Sequence, residues 1–163
     1  MSMAKWLLVG FTLGLVSTGA YASHGGEDPF PRACVNFSGQ WTSDQGNAYG
    51  IQQKDCSMIQ IHQCTASTHQ AVLLTIVPDD VTRNVRGDDF TAQELYRWDQ
   101  KNYGTTIQTY STIRYDDRTV TQVIQIEMAN ANLMLQTTYT KTKFDDGRAP
   151  QEQNVQEVFR KAL

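Results

Sequence analysis

The stretch that decides the fold is Cys34-Val35-Asn36-Phe37-Ser38-Gly39-Gln40-Trp41-Thr42-Ser43-Asp44-Gln45-Gly46-Asn47-Ala48-Tyr49-Gly50-Ile51, continuing through Cys56 to Cys64. It holds all three cysteines of the chain. Phe37, Gly39 and Trp41 alternate with polar residues, so their side chains share one face of a strand. Asp44-Gln45-Gly46-Asn47 is a turn cluster. Tyr49 and Ile51 alternate on a second strand, Lys54-Asp55 makes the next turn, and Ile59 and Ile61 alternate on a third. Three strands joined by tight turns make a meander.

The same rhythm continues downstream. Residues 71–77 form an apolar, β-branched run ended by Pro78-Asp79-Asp80. A weak strand over 81–86 carries Arg83 and Arg86. Phe90, Ala92, Glu94, Tyr96 and Trp98 alternate on one face of the next strand. Residues 105–115 are rich in Thr, Ile and Tyr, which suit a pleated surface. Val120, Gln122, Ile124, Ile126 and Met128 make a long strand, and Asn130-Ala131-Asn132 turns it back into 133–144. After Asp145-Asp146-Gly147, Pro150 suits the first turn of a helix. Val155, Val158, Phe159 and Ala162 fall at i, i+3, i+4 and i+7, so a short C-terminal helix packed on the sheet is expected.

Strands at hairpin spacing with no helix between them give an all-β fold: an antiparallel up-and-down barrel of about eight strands. A two-sheet sandwich fits the strand count nearly as well, and the meander order favours the barrel. Closure would remove exposed edges. Thr and Gln at alternating positions make a wet outer face. That disfavours an outer-membrane barrel, whose outward positions are apolar.

Upstream, Lys5 precedes an apolar run over 6–16 and Ala20-Tyr21-Ala22 offers a small-x-small cleavage site. Residues 1–22 therefore read as a secretory signal peptide, cut before Ser23. Residues 23–33, with Gly25-Gly26, Pro29 and Pro31, read as a flexible lead-in. Residues 34–163 then form a single domain, large enough for a core. The localisation expected is secreted or periplasmic. The formal net charge of −3 is mildly acidic, which argues against nucleic acid. No second long apolar run exists to span a membrane as a helix.

Three cysteines in an exported chain allow at most one internal bridge. Register selects it. If Asp44–Asn47 is the first hairpin turn, Cys34 lies across from about residue 57, beside Cys56. The second turn places Cys64 across from about residue 46, at the other end of the sheet. A strand separates those ends by roughly 20 Å, and a disulfide needs Cα atoms within about 7 Å. The expected bridge is Cys34–Cys56, with Cys64 free.

The run from Phe37 to Gly46 resembles the first strand and turn of the calycin superfamily, the lipocalins and avidins. Lipocalins carry Gly-x-Trp there, matched by Gly39 and Trp41, and the tryptophan plugs the closed end of the barrel. Avidins carry a similar Gly-x-Trp-x-x-Asp start, matched through Asp44. The resemblance covers roughly ten residues plus the strand pattern, and a helix after the eighth strand is also lipocalin-like. It implies structural roles for Gly39 and Trp41, a ligand held inside the barrel, and Ser43 as a ligand contact. A second lipocalin motif of the Thr-Asp-Tyr type is missing, and the arginine expected near the last strand has only Arg148 in its region. The later avidin tryptophans are unmatched, so biotin is disfavoured.

Glu94 is the acid to single out. If its face points inward, a carboxylate lies among Phe90, Tyr96 and Trp98, where it could hold a polar or cationic ligand group. The competing reading puts Glu94 in solvent on an edge strand, and it is the favoured one because charged side chains are seldom buried. His62 and His69 lack the third partner a metal site needs. Cys64 beside His62 has no activating environment. No catalytic constellation emerges, so the chain reads as a binding protein and not an enzyme, with no cofactor and no metal. Two readings remain. One is a secreted lipocalin-like protein that holds a small apolar or amphipathic ligand, with Glu94, Tyr96, Trp98, Tyr49 and Ser43 as contacts. The other is a barrel filled by its own side chains that binds another protein, in the manner of an inhibitor or an envelope-associated factor. An internal cavity lined by Trp98 and Tyr96 would favour the first, and a solid interior the second.

Overall fold

The computed structural model describes residues 33–63, 72–99 and 104–162. The expected signal peptide, the lead-in before Ala33, Cys64 and His69 lie outside the described residues. The described chain is all β. Ten strands form one antiparallel sheet: β1 (Gly39–Ser43), β2 (Ala48–Lys54), β3 (Met58–Gln63), β4 (Val72–Ile76), β5 (Arg83–Arg86), β6 (Thr91–Trp98), β7 (Thr106–Arg114), β8 (Arg118–Asn130), β9 (Leu133–Phe144) and β10 (Gln151–Lys161).

The order across the sheet is β4-β3-β2-β1-β10-β9-β8-β7-β6-β5. Every neighbour pair is an up-and-down hairpin except β1–β10, where the first and last strands meet. The sheet curls into a half-barrel: β4 and β5 end it and do not pair with each other.

Two expectations are corrected. The C-terminal helix is absent, because residues 151–161 are strand β10. β10 pairs with ten residues of β9 and, at its end, with Trp41, Thr42 and Ser43 of β1. A helix there would satisfy its own backbone and leave the edges of β9 and β1 bare. Val155 and Phe159 share one face of the strand, whereas Val158 lies on the other. Among the described residues the strand count is ten, not about eight, with both the weak 81–86 segment and the terminal segment in the sheet.

Local chemistry explains the first hairpin. Trp41 stands opposite Tyr49 and Gly39 opposite Ile51, close to the expected register. The Ser43 hydroxyl accepts hydrogen bonds from the amides of Gln45 (3.2 Å) and Asn47 (3.0 Å) across the turn. The Cys34–Cys56 disulfide forms as expected, with Cα atoms 5.7 Å apart. Gln53 fixes the segment that the bridge ties down. Its amide nitrogen donates to the carbonyls of Val35 and Asp55, both at 2.9 Å, and its side-chain oxygen accepts from the Phe37 amide at 2.9 Å.

Register continuity puts Trp98, Ile107 and Ile126 in one row of the inner face, and Tyr49, Trp41 and Lys161 in another. The core gathers Phe37, Trp41, Ile51, Ile59, Ile76, Trp98, Ile107, Ile126, Met134 and Phe159. The aromatic rings interlock there: Phe37 stacks on Trp98 at 6.0 Å and Tyr49 tilts against Phe159 at 5.8 Å.

Candidate functional site

β6 alternates strictly, with Ala92, Glu94, Tyr96 and Trp98 buried and Thr91, Gln93 and Arg97 exposed. Glu94 is 6 % exposed and points inward, not into solvent. Its carboxylate accepts a hydrogen bond from the Tyr96 hydroxyl two residues on. Strand spacing produces that pair, since i and i+2 share a face. Burial, then the hydrogen bond and the negative charge of Glu94, push the Tyr96 phenol well above its usual range. The neighbouring row is polar as well. Ser111 stands opposite Glu94 and Thr109 opposite Tyr96, and both are buried.

On the other side of β6, Arg83 stands opposite Glu94. Its guanidinium lies 5.9 Å from the centre of the Tyr96 ring and pairs with Asp79 at 2.6 Å. Asp79 and Arg83 were not legible as neighbours of this pair, because their link to Glu94 runs through strand pairing and not through local spacing.

Trp98 is a core residue. It is 4 % exposed, and its indole N–H donates to the Cys56 carbonyl at 2.8 Å. That bond seats β6 against the disulfide-bearing turn. Trp41 is equally committed: it is 1 % exposed and its indole N–H donates to the Phe37 carbonyl at 2.8 Å. Tyr49 lies on a different wall of the half-barrel, beside Phe159, and its phenol is pushed up by burial and by the charge of Glu157. Ser43 is buried in the first turn with its hydroxyl engaged by two backbone amides. Of the five ligand-contact candidates, Glu94 and Tyr96 are bonded to each other, Trp98 continues their row, and Tyr49 and Ser43 lie elsewhere.

Two surface depressions accompany this packing. One, of about 450 Å³, involves Asn84, Arg86, Thr91, Gln93, Thr112 and Arg114 on β5 to β7. The other, of about 420 Å³, involves Asn36, Gln53, Asp55 and the disulfide. Neither is lined by Glu94, Tyr96 or Trp98. Among the described residues no three His, Cys, Asp or Glu side chains gather to hold a metal ion. Among them, too, no helix is long and apolar enough to cross a membrane.

His62 is a site that alternation in β3 did not single out. It shares a face with Gly50, not with Ile59 and Ile61, yet it is 7 % exposed. Both ring nitrogens lack a hydrogen-bond partner among the described residues. A bulge in the β3–β4 pairing falls between Ile61 and His62.

Compared with known proteins, the chain matches no family model and no curated protein.

Proposed function

We propose that this is an exported binding protein whose interior is filled by its own side chains and whose surface takes a protein partner. One observation carries the reading. Trp98, the residue expected to line a cavity, is instead stacked on Phe37 and bonded to the Cys56 carbonyl. Interiors packed in this way hold few voids larger than a water molecule. The disulfide supports an oxidising compartment, hence secretion or the periplasm. The function is binding and not catalysis, and it needs no cofactor.

A second reading keeps the ligand inside. The buried Glu94–Tyr96 pair favours it, because a carboxylate and a phenol on an inner face are suited to orient the polar end of a small amphipathic molecule. Titration with an apolar fluorescent dye separates the two. A filled interior leaves the dye emission unchanged until the protein unfolds. Saturable, stoichiometric enhancement by the native protein, competed by fatty amines or alcohols, would establish the second reading in place of the first.

A further inference from the structure

β4 and β5 are the two ends of the sheet, and each has one edge with no strand partner among the described residues. The link over 77–82 joins them. It is pinned to β6 by a backbone β-bridge between Asp79 and Arg97 and by the Asp80 amide, which donates to the Tyr96 carbonyl at 3.1 Å. The two open edges therefore flank one seam in the half-barrel.

The edges are guarded unequally. β5 is four residues long with an arginine at each end, the short, charged form in which natural sheets blunt an edge. β4 reads Val72-Leu73-Leu74-Thr75-Ile76, with Val77 following, and carries neither charge nor proline. An uncharged apolar edge is a ready template for an added strand. The exposed large apolar side chains among the described residues are Val72, at 50 %, and Val81, at 53 %. One opens β4 and the other sits on the link.

Charge distinguishes the two sides of the seam. Arg83 is held by Asp79 and Arg114 by Asp145, whereas Arg86 makes no salt bridge among the described residues. Arg86 lines the 450 Å³ depression on β5 to β7, with Asn84, Gln93 and Thr91 beside it. We infer that the seam takes an extended segment of a protein partner, added as a strand along β4. Across the bulge Val72 pairs with His62 and Leu74 with Ile61, so the added strand would meet Val72 on one face and Leu74 on the other, and a carboxylate would reach Arg86. The seam has the protein's own sheet on both sides, which suits one extended strand better than a folded second copy. This inference rests on the surface-binding reading above and names its partner as an apolar, acid-bearing segment.

Fluorescence anisotropy with short labelled peptides tests it. The peptides alternate valine and threonine and carry aspartate, serine or lysine near one end. The aspartate peptide is expected to bind best and the lysine peptide about tenfold more weakly, the scale of one close charge contact. Arg86→Glu, at an exposed position, is expected to reverse the aspartate–lysine order. Val72→Lys is expected to weaken all three peptides, with near-UV circular dichroism showing that the fold is kept. The inference is overturned by absence of saturable binding, by a charge order that Arg86→Glu leaves unchanged, or by sedimentation showing a dimer that Val72→Lys dissolves. If the dye titration shows a filled interior and the peptides still fail, the seam alone is wrong. If the dye enters and the peptides bind, the filled-interior reading alone is wrong.

Discussion

Gly39 is glycine because its backbone adopts a conformation in which side chains are strained. Its φ is +141°, and a Cβ there would lie 2.5 Å from Cε of Lys161. The lysine stem crosses that space and brings its ammonium to 5.5 Å from the centre of the Trp41 ring. The Gly39-x-Trp41 pair thus works as one unit with β10. Gly39→Ala is expected to destabilise by about 1 kcal/mol or more, because alanine is strained at positive φ. Trp41→Ala is expected to cost about 3–5 kcal/mol, the usual loss for a buried large aromatic. Urea titration checks both, and a loss below about 1 kcal/mol for Trp41→Ala would contradict its core role. His62 should behave in the opposite sense. Its ring is buried without a hydrogen-bond partner among the described residues, so His62→Leu is expected to be neutral or to stabilise by roughly 1 kcal/mol in the same titration. At this scale alternation made Trp41 legible and put Glu94, Tyr96 and Trp98 on one face, but the rarity of buried charge favoured solvent for Glu94, and its burial is a finding of the structure. The partners of Glu94 across β5, and the burial of His62 on the opposite face from Ile59 and Ile61, depend on contacts that no local pattern encodes.

Among the elements, the first hairpin was the most legible, because turn chemistry and period-two alternation agree over residues 37–61 and fix the register that brings Cys34 to Cys56. Replacing both cysteines with serine should lower stability by roughly 2–4 kcal/mol, for a closed loop of this length. The same change should loosen the Trp98 bond to the Cys56 carbonyl, visible as a red shift in tryptophan emission. β10 was the least legible. Its apolar residues satisfy a helical stripe better than a strand alternation, which only Val155 and Phe159 fit, and tertiary pairing overrides the local pattern. Ending the chain after Pro150 is expected to abolish cooperative thermal unfolding, since it strips β9 and β1 of their partner and removes Phe159 from the core. A retained sharp transition would show that the terminal segment is an appendage.

For the whole molecule, sequence periodicity reached the antiparallel meander but not its incomplete closure, which is set by where β4 fails to meet β5. Stability should depend on pH at both extremes. Tyr96 and Tyr49 have raised values in the folded state, so their contribution is complete below about pH 10. It is lost at higher pH as the unfolded chain releases its phenolic protons first. Tyr96→Phe should flatten part of that alkaline limb. On the acid side, Glu152 is held low by its hydrogen bond from Lys141, and Asp146 by the Arg148 amide. Their contribution is present above about pH 4 and fades as pH falls through the lowered values. Thermal melts across the pH range measure both limbs.

Native mass spectrometry of the protein purified from its source tests the proposed filled interior most directly. The expected spectrum shows the polypeptide alone, or the polypeptide bound to a second protein. A discrete small-molecule mass that stays with the folded chain and leaves on gentle activation would contradict a half-barrel packed with its own side chains.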